Sequence, residues 1–212
     1  MSRMTAARST TTAGPARPGL RERKKIRTRA AIRAATYALV REQGYDATTV
    51  EQIAERAEVS PSTVFRYFPV KEDIVLPDRP GPVLSAEIRE RPADEPWRDA
   101  LRHVLERAVD RALAEDPEVL RLRSRLVVTV PAVRSRLLES LSVTGRALSG
   151  TLAERGGLDP DGLEVRVHTM ALVGGVTEAA LYWAEHGFRD DPAVLLRRAL
   201  DVLEQGPPGK KP

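Results

Sequence analysis

Residues 48–68 constrain this chain more than any other stretch. Val50, Ile53, Ala54 and Ala57 recur at helical spacing and mark one buried stripe. Thr48 is placed to cap that helix with its hydroxyl, and Glu51, three residues on, completes a capping box. Ser60 caps a second helix, and Pro61 opens it at a position where a missing N–H is no loss. Val59, Val64 and Phe68 can then face back onto the first helix. Ser62, Thr63, Arg66 and Tyr67 are left on the outer side of a short helix that has no acidic residue. Two short helices, a tight turn and a polar outer face meet the requirements of a helix-turn-helix that enters a major groove.

The charge distribution agrees with that reading. Residues 1–77 hold 14 Lys and Arg against 8 Asp and Glu, whereas residues 78–212 hold 20 against 22. The basic excess therefore lies with the helix-turn-helix, as expected for a head that meets a polyanion. Within residues 21–29, six of nine side chains are basic, Arg27 among them; the run is either a solubilising helix start or, as expected beside a DNA-binding head, a source of phosphate or minor-groove contacts.

Around this centre the chain reads as all-helical. Residues 1–19 have no apolar period and read as a disordered basic arm. A first helix ends at Gln43 before Gly44, with Ile32, Ala35, Thr36, Leu39 and Val40 on its inward stripe. Pro77, Pro80, Gly81 and Pro82 break the chain after the head, and helix resumes at Val83. Further helices are expected over 98–114, 118–130, 131–155, 163–186 and 192–205, with a loose tail at 207–212. Residues 170–184 are the most apolar stretch, but Thr177 and Glu178 interrupt it and it is too short to span a bilayer. The chain has no cysteine, so a disulfide framework or thiolate metal site is excluded. With no apolar leader, the expected location is cytoplasmic, with no membrane partner.

Thr28, Ile32, Gly44, Tyr45, Thr48, Thr49, Val50, Ile53, Ala54 and Ala57, followed by Val59, Ser60, Thr63, Tyr67, Phe68, Lys71 and Glu72, resemble the tetracycline-repressor (TetR) family of bacterial transcriptional regulators. The resemblance covers about residues 27–75. It implies an all-α fold: an N-terminal three-helix helix-turn-helix DNA-binding head (20–75) and a C-terminal helical ligand-binding and dimerisation bundle (76–206). It also implies a ligand-responsive regulator, by family habit a repressor, that binds a pseudo-palindromic double-stranded DNA operator as a homodimer. A small-molecule effector would release it. Carried onto this sequence, the resemblance places Thr49, Pro61, Ser62, Thr63, Phe65, Tyr67 and Lys71 at DNA; the basic run, the helix caps and the outer face add Arg27, Thr48, Ser60 and Arg66 to the DNA-facing set. Two departures stand out. Phe65 replaces a tyrosine common at that position, and Glu58 occupies a turn where glycine is common.

The body is less specific. An apolar helix carrying Gly174-Gly175 calls for close helix approach, either within the chain or in a dimer whose interface is expected at Ala171, Gly174, Gly175, Leu196 and Leu200. His168, Glu178 and Trp183 are the candidate ligand contacts. The effector is expected to be apolar or acyl-CoA-like; Arg121, Arg123 and Arg125 either suit such an anionic group or form a solvated face. An enzyme is the competing class, but G-x-G-x-x-G, P-loop and H-E-x-x-H motifs are all missing, and only three histidines are present. No catalytic residue, cofactor or metal is implied. A DNA-binding protein without an effector is the other alternative.

Overall fold

The computed structural model describes residues 19–78 and 80–206, which form ten helices and no strand. Residues 1–18 of the expected basic arm and the expected tail at 207–212 lie outside the described residues. The helices are α1 (Leu20–Gln43), α2 (Val50–Arg56), α3 (Pro61–Tyr67), α4 (Lys71–Val75) and α5 (Pro80–Arg89). They continue as α6 (Trp97–Glu115), α7 (Pro117–Thr129), α8 (Pro131–Gly156), α9 (Leu163–Glu185) and α10 (Pro192–Gln205).

The first three helices and α4 close around one core. α1 supplies Ile32 and Leu39, α2 supplies Ile53 and Ala54, α3 supplies Val64, and Phe68 and Ile74 complete it. The expected inward stripe of α1 is buried throughout, and Gly44 ends the helix at φ 86°. Tyr37 is buried as well, on a different side of α1. It joins Val40, Tyr45, Val75 and Leu76 in a second core with Leu126, Val127, Val133 and Leu181 of the body. Head and body therefore share packed side chains across α1 and α4.

The body packs α5 on α8, α8 on α9, and α9 on α10. Its core joins Ile88, Leu101, Val104, Leu148, Leu152, Leu196 and Leu200. The proline cluster departs from expectation. Pro80, Gly81 and Pro82 form the first turn of α5 instead of a break, since the N–H groups that prolines lack there have no partner in a first turn. Gly81 lies close on α8: a Cβ there would stand 3.1 Å from the Ala147 Cβ and 3.3 Å from the Thr144 Cα. Gly145 and Gly150 do not interrupt α8.

Candidate nucleic-acid interface and cavity

The cap of α2 is displaced by one residue from the sequence reading. Thr49, not Thr48, accepts from the Gln52 N–H at 3.2 Å, and the Gln52 side chain accepts from the Thr49 N–H at 2.9 Å. Glu51 therefore takes no part in the capping box. Thr48 is 1% exposed, and its hydroxyl donates to the Gly44 carbonyl at 2.8 Å. It ties the end of α1 to the start of α2 and is withdrawn from the DNA-facing set.

The turn into α3 is strained at the residue that departs from glycine. Glu58 has φ 54°, a left-handed conformation that costs a side-chain-bearing residue about 1–2 kcal/mol. Ser60 then caps α3, accepting from the Thr63 N–H at 3.2 Å, with Pro61 in the first turn. The Ser60 hydroxyl also lies 2.9 Å from those of Ser62 and Thr63, and Arg66 donates to Thr63 at 3.3 Å. Ser60, Pro61, Ser62, Phe65 and Arg66 are exposed, whereas Thr63 and Tyr67 are half-buried. Phe65 presents half of its surface to solvent on an otherwise polar helix. Arg27 is exposed on α1.

Lys71, expected at the DNA backbone, serves as an internal tie. Its Nζ donates to the Tyr45 carbonyl at 3.0 Å and the Thr48 carbonyl at 3.1 Å, and it sits 4.0 Å from the centroid of the Tyr45 ring. Two of its three N–H groups are thereby committed to the turn between α1 and α2.

Beneath the head, the body holds a cavity of about 970 Å³ that opens to solvent past Glu139 and Val143. Its walls are mainly aliphatic, with Leu101 and Leu105 of α6, Leu148 of α8 and Leu172, Val173 and Val176 of α9. The cavity reaches upward to Arg29, Tyr67 and Phe68 of the head and downward to Pro192 and Leu196 of α10. At its upper end Arg29 donates to the Tyr67 carbonyl at 2.9 Å, pairs with Asp78 and lies over the Phe68 ring. Arg33 reaches Asp78 at 2.8 and 3.0 Å and the carbonyls of Ile74 and Leu76 at 3.1 and 2.7 Å. Burial opposes ionisation of Asp78, but the hydrogen bond from Arg29 and the charge of Arg33 hold its carboxyl below the usual carboxylate range. Arg136 of α8 grips Asp73 of α4 at 2.7 and 3.1 Å.

Of the three candidate ligand residues, only Trp183 lines the cavity. Its indole N–H is already engaged by the Asp190 carbonyl at 2.8 Å, which leaves the ring surface for contact. His168 is half-buried elsewhere, edge-on to Trp97 at 4.7 Å, where burial and then Arg98 depress its pKa. Glu178 is exposed and does not line the cavity, because it lies on the one stripe of α9 that α7, α8 and α10 leave uncovered. The arginine trio makes no anion site. Arg121 pairs with Glu118, Arg123 donates to the Tyr37 hydroxyl, and Arg125 lies over Phe188.

The dimer set is corrected in the same way. Leu196 and Leu200 are 2% and 3% exposed and belong to the chain's own core. A Cβ on Gly175 would stand 2.8 Å from Leu203, so this glycine admits α10 of the same chain. Ala171 is exposed, and a Cβ on Gly174 would meet nothing within 4 Å.

Two family profiles match this chain. That of the bacterial regulatory proteins, tetR family, covers residues 32–76, and that of the MftR C-terminal domain covers residues 95–208. TcmR of Streptomyces glaucescens, an HTH-type transcriptional regulator, is 36% identical over 199 residues, spanning 89% of this chain and 88% of that protein. The chain belongs to the tetR family of bacterial regulatory proteins. Among solved structures, this tetR-family regulator resembles FadR of Thermus thermophilus, a repressor in complex with lauroyl-CoA. The two share 26% identity at a TM-score of 0.55 over 87% of this chain and 97% of that one. NalD of Pseudomonas aeruginosa shares the fold at a TM-score of 0.58 and 20% identity, over 85% and 97% of the two chains. In this tetR-family regulator no described helix is long and apolar enough to cross a membrane, and no described cluster of side chains could hold a metal ion. The ion pairs of Arg29 and Arg33 with Asp78, and of Arg136 with Asp73, had no local sequence signal, since they join positions 45 to 63 apart.

Proposed function

We propose that this chain is a homodimeric repressor that binds a pseudo-palindromic DNA operator and is released by an apolar small-molecule effector held in the body cavity. One observation carries the reading: a single apolar cavity runs from the body core to Tyr67 and Phe68 at the end of α3. Occupancy in the body is thus read at the helix that meets DNA. The solved FadR relative holds lauroyl-CoA, a molecule with an apolar tail, which supports an apolar occupant.

The DNA face is the exposed, acid-free side of α3, with Ser62, Thr63, Phe65 and Arg66 in reach of base edges and Thr49, Tyr67 and Arg27 at the backbone. The dimer face is the uncovered stripe of α9. Val167, Met170, Ala171, Gly174, Glu178 and Tyr182 follow one another at helical spacing, and Val167, Met170 and Tyr182 are 58%, 42% and 40% exposed. Gly174 lets a second backbone approach closely there.

Selection of duplexes from a random pool tests this reading. The enriched sites are expected to be inverted repeats whose half-sites lie roughly one helical turn apart. Enrichment of single half-sites, or of none, refutes the dimeric operator reading.

A further inference from the structure

We infer that the effector is an uncharged, mostly apolar molecule carrying one or two neutral oxygen functions. This rests on the effector reading above and narrows its chemistry. The argument is the state of every charged group on the cavity wall. Arg29, Asp73, Asp78, Arg136 and Glu139 line it. Arg29 is engaged by Asp78 and by the Tyr67 carbonyl. Asp78 is engaged a second time, by Arg33. Arg136 is shared between Asp73 at 2.7 Å and Glu139 at 2.8 Å. No lysine or histidine lines the cavity among the described residues.

A carboxylate or phosphate entering this space loses water and meets no uncommitted cation. An ammonium meets only carboxylates that already hold a guanidinium. At the open end, where Arg136 is 40% and Glu139 65% exposed, a pair gives way at little cost, but an ion that enters among the aliphatic walls stays unpaired, and that is strongly unfavourable. Two neutral groups remain available. Ser124 of α7 and Thr144 of α8 both line the cavity and make no side-chain hydrogen bond among the described residues. By contrast, the Ser140 and Thr177 hydroxyls are turned onto their own helices, at the Leu137 and Val173 carbonyls. Ser124 and Thr144 can each donate to a carbonyl or hydroxyl oxygen of a neutral guest, and apolar walls accept the rest.

The test uses the full-length protein and a set of probes that share one alkyl chain: dodecanol, dodecanoate, dodecyltrimethylammonium and lauroyl-CoA. Calorimetry gives their affinities below the micelle range, and operator affinity is measured in parallel. Dodecanol is expected to bind at least about tenfold more tightly than dodecanoate or the ammonium. Ser124→Ala with Thr144→Val is expected to weaken dodecanol several-fold while leaving the melting temperature within a few degrees of wild type. The single variant Ser124→Ala serves if the pair folds poorly. Equal or tighter binding of dodecanoate or lauroyl-CoA overturns the inference, as does binding of none of the four. If a charged probe binds and releases the operator, the inference falls while the regulator reading stands. If dodecanol binds without changing operator affinity, the chemistry stands and the effector reading falls.

Discussion

Replacing Asp78 with asparagine removes the charge on which Arg29 and Arg33 converge, at the joint between head and cavity. The size of the effect follows from what each partner keeps. Arg33, 15% exposed at its side chain, retains the carbonyls of Ile74 and Leu76. Arg29, 26% exposed, retains the Tyr67 carbonyl. Neither becomes an orphaned buried charge, so the roughly 3–5 kcal/mol of a broken buried pair is an upper bound. Asp78 is itself 53% exposed, so solvent screens it, yet its partners are mostly covered and exceed the roughly 0–1 kcal/mol of a surface pair. We expect a loss of about 1–2 kcal/mol, which for a chain of this size lowers the melting temperature by roughly 2–8 °C. The pH dependence supplies a sharper check. The folded-state pKa of Asp78 is depressed, so its contribution is present above the unfolded-state value and is lost as pH falls through the folded-state one. The gap between wild type and Asp78→Asn in thermal melts should therefore be widest near neutral pH. It should close as pH falls from about 5 through the carboxylate range. A gap that persists unchanged at low pH, or one below about 0.5 kcal/mol at pH 7, refutes the assignment of Asp78 as the charged centre of the joint.

Three further outcomes follow from the geometry. Arg66→Ala should weaken binding to a selected operator by about 1–3 kcal/mol more than binding to random duplex if it reads a base, and equally for both if it meets only phosphate; paired salt titrations distinguish the cases. Lys71→Met should lower unfolding stability by roughly 1–2 kcal/mol in denaturant titration while leaving the salt slope of DNA binding unchanged, because its ammonium is bonded to the Tyr45 and Thr48 carbonyls. Gly81→Ala should destabilise the chain by about 1–3 kcal/mol in thermal melts, because the new methyl meets Ala147 and the backbone of Thr144, neither of which can swing aside. A raised melting temperature would mean that α5 has slack against α8.

The helices were readable in the sequence because caps and apolar periods are local. The cap at Thr48 failed by one residue for a physical reason. Thr48 and Thr49 are both threonine, and each is followed three residues later by a side chain able to close the box, Glu51 or Gln52. Only the nearby Gly44 carbonyl, which takes the Thr48 hydroxyl inward, decides between them. Leu196 and Leu200 show a different limit. Amphipathic spacing says that a residue is covered, not whether its own chain or a second copy covers it. Glu178 stands out as a charge inside an apolar run, but periodicity does not say which stripe of α9 is covered, and Glu178 lies on the exposed one. Apolar stripes of α6, α8 and α9 converge on the cavity walls, but its upper end has no such local mark. Arg29, Arg33 and Asp78 meet across 45 and 49 positions, and charges in a basic helix and a proline-rich joint carry no mark of each other.

α1 contributes to two cores at once. Ile32 and Leu39 belong to the head, while Tyr37 and Val40 pack with Leu126, Val127 and Val133 of the body. A head cut away after α4 would carry Tyr37, Val40, Val75 and Leu76 into water as one apolar patch. The DNA-binding part is therefore not a detachable module. Recombining it with a foreign body would require that body to present matching side chains to Tyr37 and Val40, so a regulator of this build changes its operator more readily by editing α3 than by exchanging heads.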